Sequence, residues 1–324
     1  MKRCKTIWRS CLAAVILTAS LYAQAAAALP AYLIPGGNTV GIQMYTKGLV
    51  ITELSDDSAA ARAGLKKGDT ILEVDGKTVD SAQTLTEGIQ SGQNVVLTVQ
   101  RDGKQAEFLV VPEQTENGYR LGIYIRDSIA GIGTVTYYDP LTGEFGALGH
   151  GVNDLSGTRL LAMQKGILVA SSVDEVRKGS RGTAGQLHGA FDVTQAIGTV
   201  EQNTARGLFG TMLNVPKRTA LPVADSAQVK TGEASILSNV SGTTVEEYTV
   251  NIDRIYPDAK NGRNLLLTVT DKRLLEKTGG IVQGMSGSPI IQDGKLVGAV
   301  THVLVNDPAR GYGIFIENML EATQ

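Results

Sequence analysis

The sequence predicts a mainly β protein of two domains, a small one followed by a large one, and three observations carry that prediction. The chain has 324 residues, enough for two separate cores. Glycine reaches 38 residues, scattered among Val, Ile, Leu and Thr, a composition that suits short strands and turns better than a helical bundle. Asp-Gly pairs at 75–76, 102–103 and 293–294 each follow a β-branched run, the strongest short-range hairpin signal.

The N-terminus reads as an export segment. Lys2, Arg3, Lys5 and Arg9 precede the apolar run Cys11–Ala23, and small residues follow. Residues 1–30 are therefore expected to be a signal peptide or a membrane anchor. If the apolar run is extended through Leu33, it reaches about the 20 residues that span a bilayer. Either reading puts the rest of the chain outside the cytoplasm, secreted or held at a membrane. The formal net charge is -2, and without the four early cations 26 basic residues face 32 acidic ones. Nothing in that balance suits a nucleic-acid partner. Both cysteines, Cys4 and Cys11, fall in the export segment, so the remainder can hold neither a disulfide nor a thiol nucleophile. Three histidines (His150, His188 and His302) with no close His/Cys cluster leave no zinc-ligand pattern, and no metal or organic cofactor is expected.

The first domain is expected over 33–113. Gly41–Leu54 gives two short strands, Ser58–Gly64 a short helix with a Ser cap and a Gly stop, and Thr70–Lys77 a strand entering a hairpin. The string SAAARAGLKKGDTILEVDGKTV resembles the PDZ domains of bacterial proteases, small α/β sandwiches that bind the ends of polypeptide chains. By that resemblance a peptide adds as a strand beside Gly41, Ile42 and Gln43, whose amides hold its carboxylate. A small sandwich without a ligand is the plainer alternative. Such a domain binds and targets, so the chemistry lies elsewhere.

The second domain, 117–324, is long enough for two small β-barrels. Its best helix signals are Ser172–Arg177 and the stretch after Ile316, and Asp139–Gly143 reads as a turn. The sharpest motif is Gly284-Met-Ser-Gly-Ser-Pro289. A serine nucleophile needs a tight turn that presents its hydroxyl and aims backbone N–H groups at a developing oxyanion. Glycines around Ser286 permit that backbone, and trypsin-like peptidases, which this segment and the hairpin after it resemble, would place the oxyanion hole at Gly284 and Ser286. Ser288 is disfavoured because Pro289 fixes the chain beside it. The base of such a site is a histidine. His150, between glycines at a strand end, precedes Ser286 in the trypsin-like order. His188 reads as an ordinary residue, and His302 falls on the strand that would bind substrate.

The whole chain resembles the stage IV sporulation protein B family, PDZ-containing serine peptidases of spore-forming bacteria. The strings GALGHGVND, VTDKRLLEKTGGIVQGMSGSPIIQDGKLVGAVTHV and NDPARGYGIFIE carry the likeness. It implies a PDZ domain followed by a trypsin-like double β-barrel, with a triad of His150, Asp271 and Ser286. Spacing by the chymotrypsin order, about 45 residues after the histidine, fits Asp192 better, whereas the family motif places the acid at Asp271. Asp307 reads as a turn residue before Pro308. The resemblance further implies self-processing and cleavage of the regulatory subunit of an intramembrane protease. It would do so in the forespore intermembrane space, triggering a late sigma factor. A non-catalytic PDZ adaptor outside the cytoplasm is the rival reading, and a β-rich binding protein without peptidase ancestry a third.

Overall fold

The computed structural model describes residues 29–154, 157 and 159–323, so both cysteines and nearly all of the expected export segment lie outside the described residues. No helix among the described residues is long and apolar enough to cross a membrane. The chain runs β1 (Tyr32–Pro35), β2 (Thr39–Leu54), α1 (Ala59–Arg62), β3 (Thr70–Val74), β4 (Lys77–Thr78), α2 (Ala82–Ile89), β5 (Val95–Arg101), β6 (Lys104–Val110), β7 (Glu113–Thr115), β8 (Gly118–Arg120) and β9 (Ile123–Tyr138). There follow β10 (Glu144–Ala147), β11 (Met163–Arg177), β12 (Gln186–Thr204), β13 (Gly207–Met212) and β14 (Leu221–Pro222). The last third holds β15 (Gly232–Ser238), β16 (Glu246–Ile255), β17 (Leu265–Val269), α3 (Lys272–Thr278), β18 (Pro289–Gln292), β19 (Lys295–Leu304), β20 (Asp307–Phe315) and α4 (Ile316–Glu321).

Two antiparallel barrels stand side by side. In the first, β2, β9, β10, β13, β12 and β11 pair in that ring order, and β11 closes back onto β2. In the second, β15, β16, β17, β20, β19 and β18 close on themselves. Each has its own apolar core, Val40, Val135, Phe145, Leu168 and Leu208 in one and Ile236, Tyr248, Leu267, Ile290 and Phe315 in the other. A cluster around Leu33, Tyr137, Ile314, Ile316 and Met319 brings β1, β9 and α4 together across the barrels.

The small domain, expected over 33–113 ahead of a second domain at 117–324, is threaded into the first barrel, because β1 and the start of β2 pair with β9 there. Thr39–Tyr45 of β2 pairs with β9 inside the barrel, and Leu49–Leu54 of the same strand pairs with β3 and with Ile123–Arg126. The two short strands expected over 41–54 are thus one strand of 16 residues. A shift of register between Tyr45 and Val50 marks the passage from one body to the other. Gly48 sits there with φ 87°, and a Cβ at that position would fall 2.3 Å from the Ile71 carbonyl oxygen, so only glycine fits. The inserted body has a separate core of Leu49, Ile51, Ile71, Leu85, Ile89, Leu97, Val99 and Leu121.

Local signals for turns and caps were sound. Ser58 caps α1 by accepting from the Ala61 N–H, and all three Asp-Gly pairs adopt positive φ at both residues, as type I′ turns require. Asp139 Oδ1 accepts from Leu141 N–H at 2.7 Å in the predicted turn. The helix expected over Ser172–Arg177 is instead part of β11, paired with Gln186–Ala190 of β12. Val173 is buried against the second barrel there, and ladder pairing outweighs a weak local preference.

Candidate active site between the barrels

The loop after β10 is held in a conformation that few side chains adopt. Leu148 has φ 68° and Gly149 φ 69°, and strain of this kind in a non-glycine residue persists only where the surroundings impose it. A Cβ on Gly149 would come within 2.8 Å of Thr301, so the chain passes tightly over β19 before delivering His150. Downstream, the Asn203 side chain accepts from Val152 N–H (2.9 Å) and donates to the carbonyls of Val152 (2.8 Å) and Leu161 (3.1 Å). The histidine is clamped on both sides by backbone geometry.

The serine turn is built with equal constraint. Gly284 and Gly287 have φ 100° and 98°, and a Cβ on Gly287 would lie 2.0 Å from the Thr134 carbonyl oxygen. Thr134, fully buried on β9, ties the two halves together. Its N–H donates to the Ser286 carbonyl (3.0 Å), its hydroxyl to the Gly284 carbonyl (2.7 Å), and its own carbonyl accepts from Leu148 N–H (3.1 Å). One residue of the first barrel thus fixes both the turn that carries Ser286 and the loop that carries His150. Neither Thr134 nor Asn203 was among the sequence candidates, since a lone polar residue on a strand carries no signal of its own.

His150, Ser286 and Gly284 line one cavity of about 410 Å³ between the barrels, together with His302 and Thr301. The His150 Nδ1 lies 2.9 Å from the Gly151 carbonyl oxygen. A carbonyl can only accept, so Nδ1 carries the proton and Nε2 is left with its lone pair. The ring of His302 lies against that of His150, centroids 5.4 Å apart and tilted by 44°. Burial holds the His150 imidazole below the usual histidine value. His302 is pushed down to about 4 by burial, by the neighbouring His150 and by Arg263, so both rings are neutral at neutral pH. The Ser286 hydroxyl donates to the Thr301 carbonyl at 2.9 Å. It must rotate about its Cα–Cβ bond to reach an imidazole.

The expected acid is not brought to this cavity. Asp271 is the N-cap of α3, accepting from the N–H groups of Arg273 and Leu274, and it pairs with the Arg273 guanidinium at 2.9 Å. Those bonds, the Arg273 side chain foremost, hold its carboxyl below the usual range. Asp192, the alternative by spacing, is exposed on β12 and is bonded to Thr194 and Gln195. Neither lines the cavity, and the polar partner His150 Nδ1 has in this structure is the Gly151 carbonyl. Ser288, by contrast, is sealed inside the second barrel, its hydroxyl bonded to Ser238 at 3.1 Å, which removes it as a nucleophile. His188 is exposed on β12, and Asp307 opens β20 at the surface.

The strand expected to take a peptide is already paired on both edges. Gly41, Ile42 and Gln43 lie in the interior of the first barrel sheet, paired to Val169, Leu168 and Ile167 on one side and to Ile132, Gly131 and Ala130 on the other. A strand with both edges taken cannot accept another. A Cβ on Gly41 would strike Phe191 and Val169 at 2.5 and 2.6 Å, so that glycine serves barrel packing. The open groove of the inserted body lies instead between α2 and Ile123–Ile125 of β9, about 420 Å³, with Leu85, Thr86, Ile89 and Leu121 in its walls. Ile123–Ile125 pairs with β2 along one edge, and no ladder occupies its other edge among the described residues. Gly122 opens this segment with φ 71°, and a Cβ there would fall 2.4 Å from Ser58.

Comparison with known proteins identifies both domain types. The profile of the SpoIVB peptidase S55 family matches residues 117–320, and that of the PDZ domain matches 39–111. A DegP-like periplasmic serine endoprotease of Halomonas elongata is 43% identical over 67 residues, which are 20% of this chain and 14% of that protein. A protein of Agrobacterium fabrum bearing the name of a zinc metalloprotease is 34% identical over 98 residues, 30% of this chain and 25% of its own. The chain thus spans a quarter or less of the length of either relative. Among solved structures, the Rv3671c protease of M. tuberculosis in an inactive form is 14% identical with a TM-score of 0.35, covering 59% of this chain and 81% of that one.

Proposed function

The chain is a PDZ-bearing member of the SpoIVB peptidase S55 family of serine peptidases, and from that premise we propose that it hydrolyses peptide bonds with Ser286 as nucleophile and His150 as general base. The observation that carries this reading is the His150 tautomer. With Nδ1–H donated to the Gly151 carbonyl, Nε2 is free to take a proton, and Ser286 lies in the same cavity. In the first step the Ser286 hydroxyl leaves the Thr301 carbonyl and passes its proton to His150 Nε2 as its oxygen attacks the scissile carbonyl carbon. Backbone amides at Gly284 and Ser286 hold the resulting oxyanion, an interaction typically worth about 3 kcal/mol. His150 then protonates the leaving amine as the C–N bond breaks, and water repeats the sequence to free the acid and restore Ser286.

A neutral carbonyl selects the productive tautomer, as an aspartate would, but it stabilises the imidazolium less. Slow turnover follows, in keeping with an enzyme that acts once on a regulated target. Peptide ends docked along Ile123–Ile125 would raise the local concentration of substrate at the cleft. By its family the natural target is the regulatory subunit of an intramembrane protease, cut in the forespore intermembrane space after self-processing. Export and membrane association through residues 1–30 would bring the enzyme there.

The test follows the size of the full chain and of a casein substrate over time, in wild type and Ser286→Ala. Wild-type trimming that the variant lacks supports the reading. Equal processing in both removes Ser286 from the role, and inertness in both favours a non-catalytic adaptor.

A further inference from the structure

Apart from Ser286, the two histidines, Gln283 and Thr301, the side chains around the catalytic cavity are apolar. Ile42, Met44, Ile129 and Ile132 form the wall from the first barrel, Val282 and Val303 the wall from the second. Among the described residues no Asp, Glu, Lys or Arg lines it. A charged side chain entering this space would lose water and meet no charged group in the lining, whereas an apolar one would gain by leaving water.

The size of the space is set on β9. Side chains alternate along a strand, so Ile129, Gly131 and Gly133 share one face. A Cβ on Gly133 would come within 2.3 Å of Leu148 and 2.8 Å of Ile42, and packing alone explains that glycine. Gly131 differs. A Cβ there would meet nothing within 4 Å, its φ is not positive, and it lines the cavity. Neither backbone conformation nor packing accounts for the missing side chain at this exposed position on the border of the cavity.

We propose that this cavity receives a large apolar side chain (Leu, Met or Phe) of the polypeptide substrate immediately beside the scissile bond, and that Gly131 determines how large that side chain can be. The inference rests on the peptidase reading above and names its substrate class. A hydrophobic pocket discriminates by about 10-fold or more per missing or excess methylene group. Substrates with Leu, Met or Phe next to the cut should therefore exceed their Ala counterparts by at least about that factor, and Lys or Glu counterparts by on the order of 100-fold. Gly131→Leu fills the space and should reverse the order, with Ala and Val preferred and Leu or Phe reduced about 10-fold.

The experiment incubates the full-length wild type and Gly131→Leu with a mixed peptide library, maps the cut sites by mass spectrometry, and in parallel labels Ser286 with a fluorophosphonate. Large apolar residues flanking wild-type cuts, giving way to small ones in the variant while labelling persists, support the proposal. Cuts indifferent to size, or flanked by charged residues, with Ser286 still labelled overturn this proposal alone. Absence of both cutting and labelling in wild type overturns the peptidase reading beneath it. Gly131→Ala, which adds one methyl group, carries the same comparison in a smaller step should the Leu variant fail to fold. A wild-type preference left unmoved by the Ala variant counts against Gly131.

Discussion

The catalytic cleft and the PDZ groove lie along the same two strands, β2 and β9, yet they are built on opposite principles. The cleft is made of residues whose conformations are dictated by contact: Leu148 and Gly149 in left-handed geometry, and Gly284 and Gly287 around Ser286, with Thr134 bonded to Leu148, Gly284 and Ser286. The groove is made by omission, the edge of Ile123–Ile125 away from β2, which no ladder occupies among the described residues. A site of the first kind advertises itself in the sequence, because strained turns demand particular residues. A site of the second kind does not, because an unpaired edge is a property of the whole sheet.

Variants that separate the two regions should have graded effects. The largest belong to the cleft. Ser286→Ala or His150→Ala should lower kcat by about 10⁴-fold or more, measured on a short peptide, while isothermal titration shows unchanged peptide binding to the groove. Thr134→Val keeps the volume but removes the hydroxyl that holds the Gly284 carbonyl. Loss of one buried hydrogen bond of about 1 kcal/mol or more predicts at least a roughly five-fold fall in kcat with little change in KM. Thr86→Trp, at an exposed position of α2 lining the groove, should weaken groove binding about 10-fold by filling the space a peptide side chain would occupy. It should leave cleavage of short peptides intact, and a parallel loss of both would show the two regions to be inseparable.

Acidity gives a finer separation. His150 must be neutral to act as base, and its value is lowered by burial, so the acid limb of kcat/KM should fall below the ordinary histidine value of about 6.5. His302 also contributes to stability. Its folded value of about 4 is below its unfolded one, so the unfolded chain binds more protons between them. That contribution is complete above about pH 6.5 and is lost as pH falls towards 4. Chemical denaturation of wild type and His302→Gln across this range should converge as the pH drops.

How much was legible follows the same division. The turn motif at 284–289, the histidine between glycines and the three Asp-Gly hairpins were all read from local patterns. Val40-Gly41-Ile42 and Leu121-Gly122-Ile123 are nearly the same string, each opening an extended segment, and the sequence offers no reason to choose the second. Only the pairing of the first on both edges decides it. Asp271 is the contrary case, in which a signal was present and another was preferred. Asp271, followed by seven helix-compatible residues and Gly279, is a helix with its N-cap and its left-handed C-cap, and the structure shows both. The smallest expected effect sits there. Asp271→Ala should cost about 1 kcal/mol of stability, seen as a drop of a few degrees in Tm, and Asp271→Asn, which keeps a capping oxygen, less.

The most direct measurement compares the rate of fluorophosphonate labelling at Ser286 in wild type, His150→Ala and Asp271→Asn at neutral pH. We expect wild type and Asp271→Asn to react at similar rates and His150→Ala to be nearly inert, since His150 Nδ1 faces the Gly151 carbonyl while Asp271 caps α3. Loss of labelling in a folded Asp271→Asn variant would contradict that assignment and restore Asp271 to the catalytic centre.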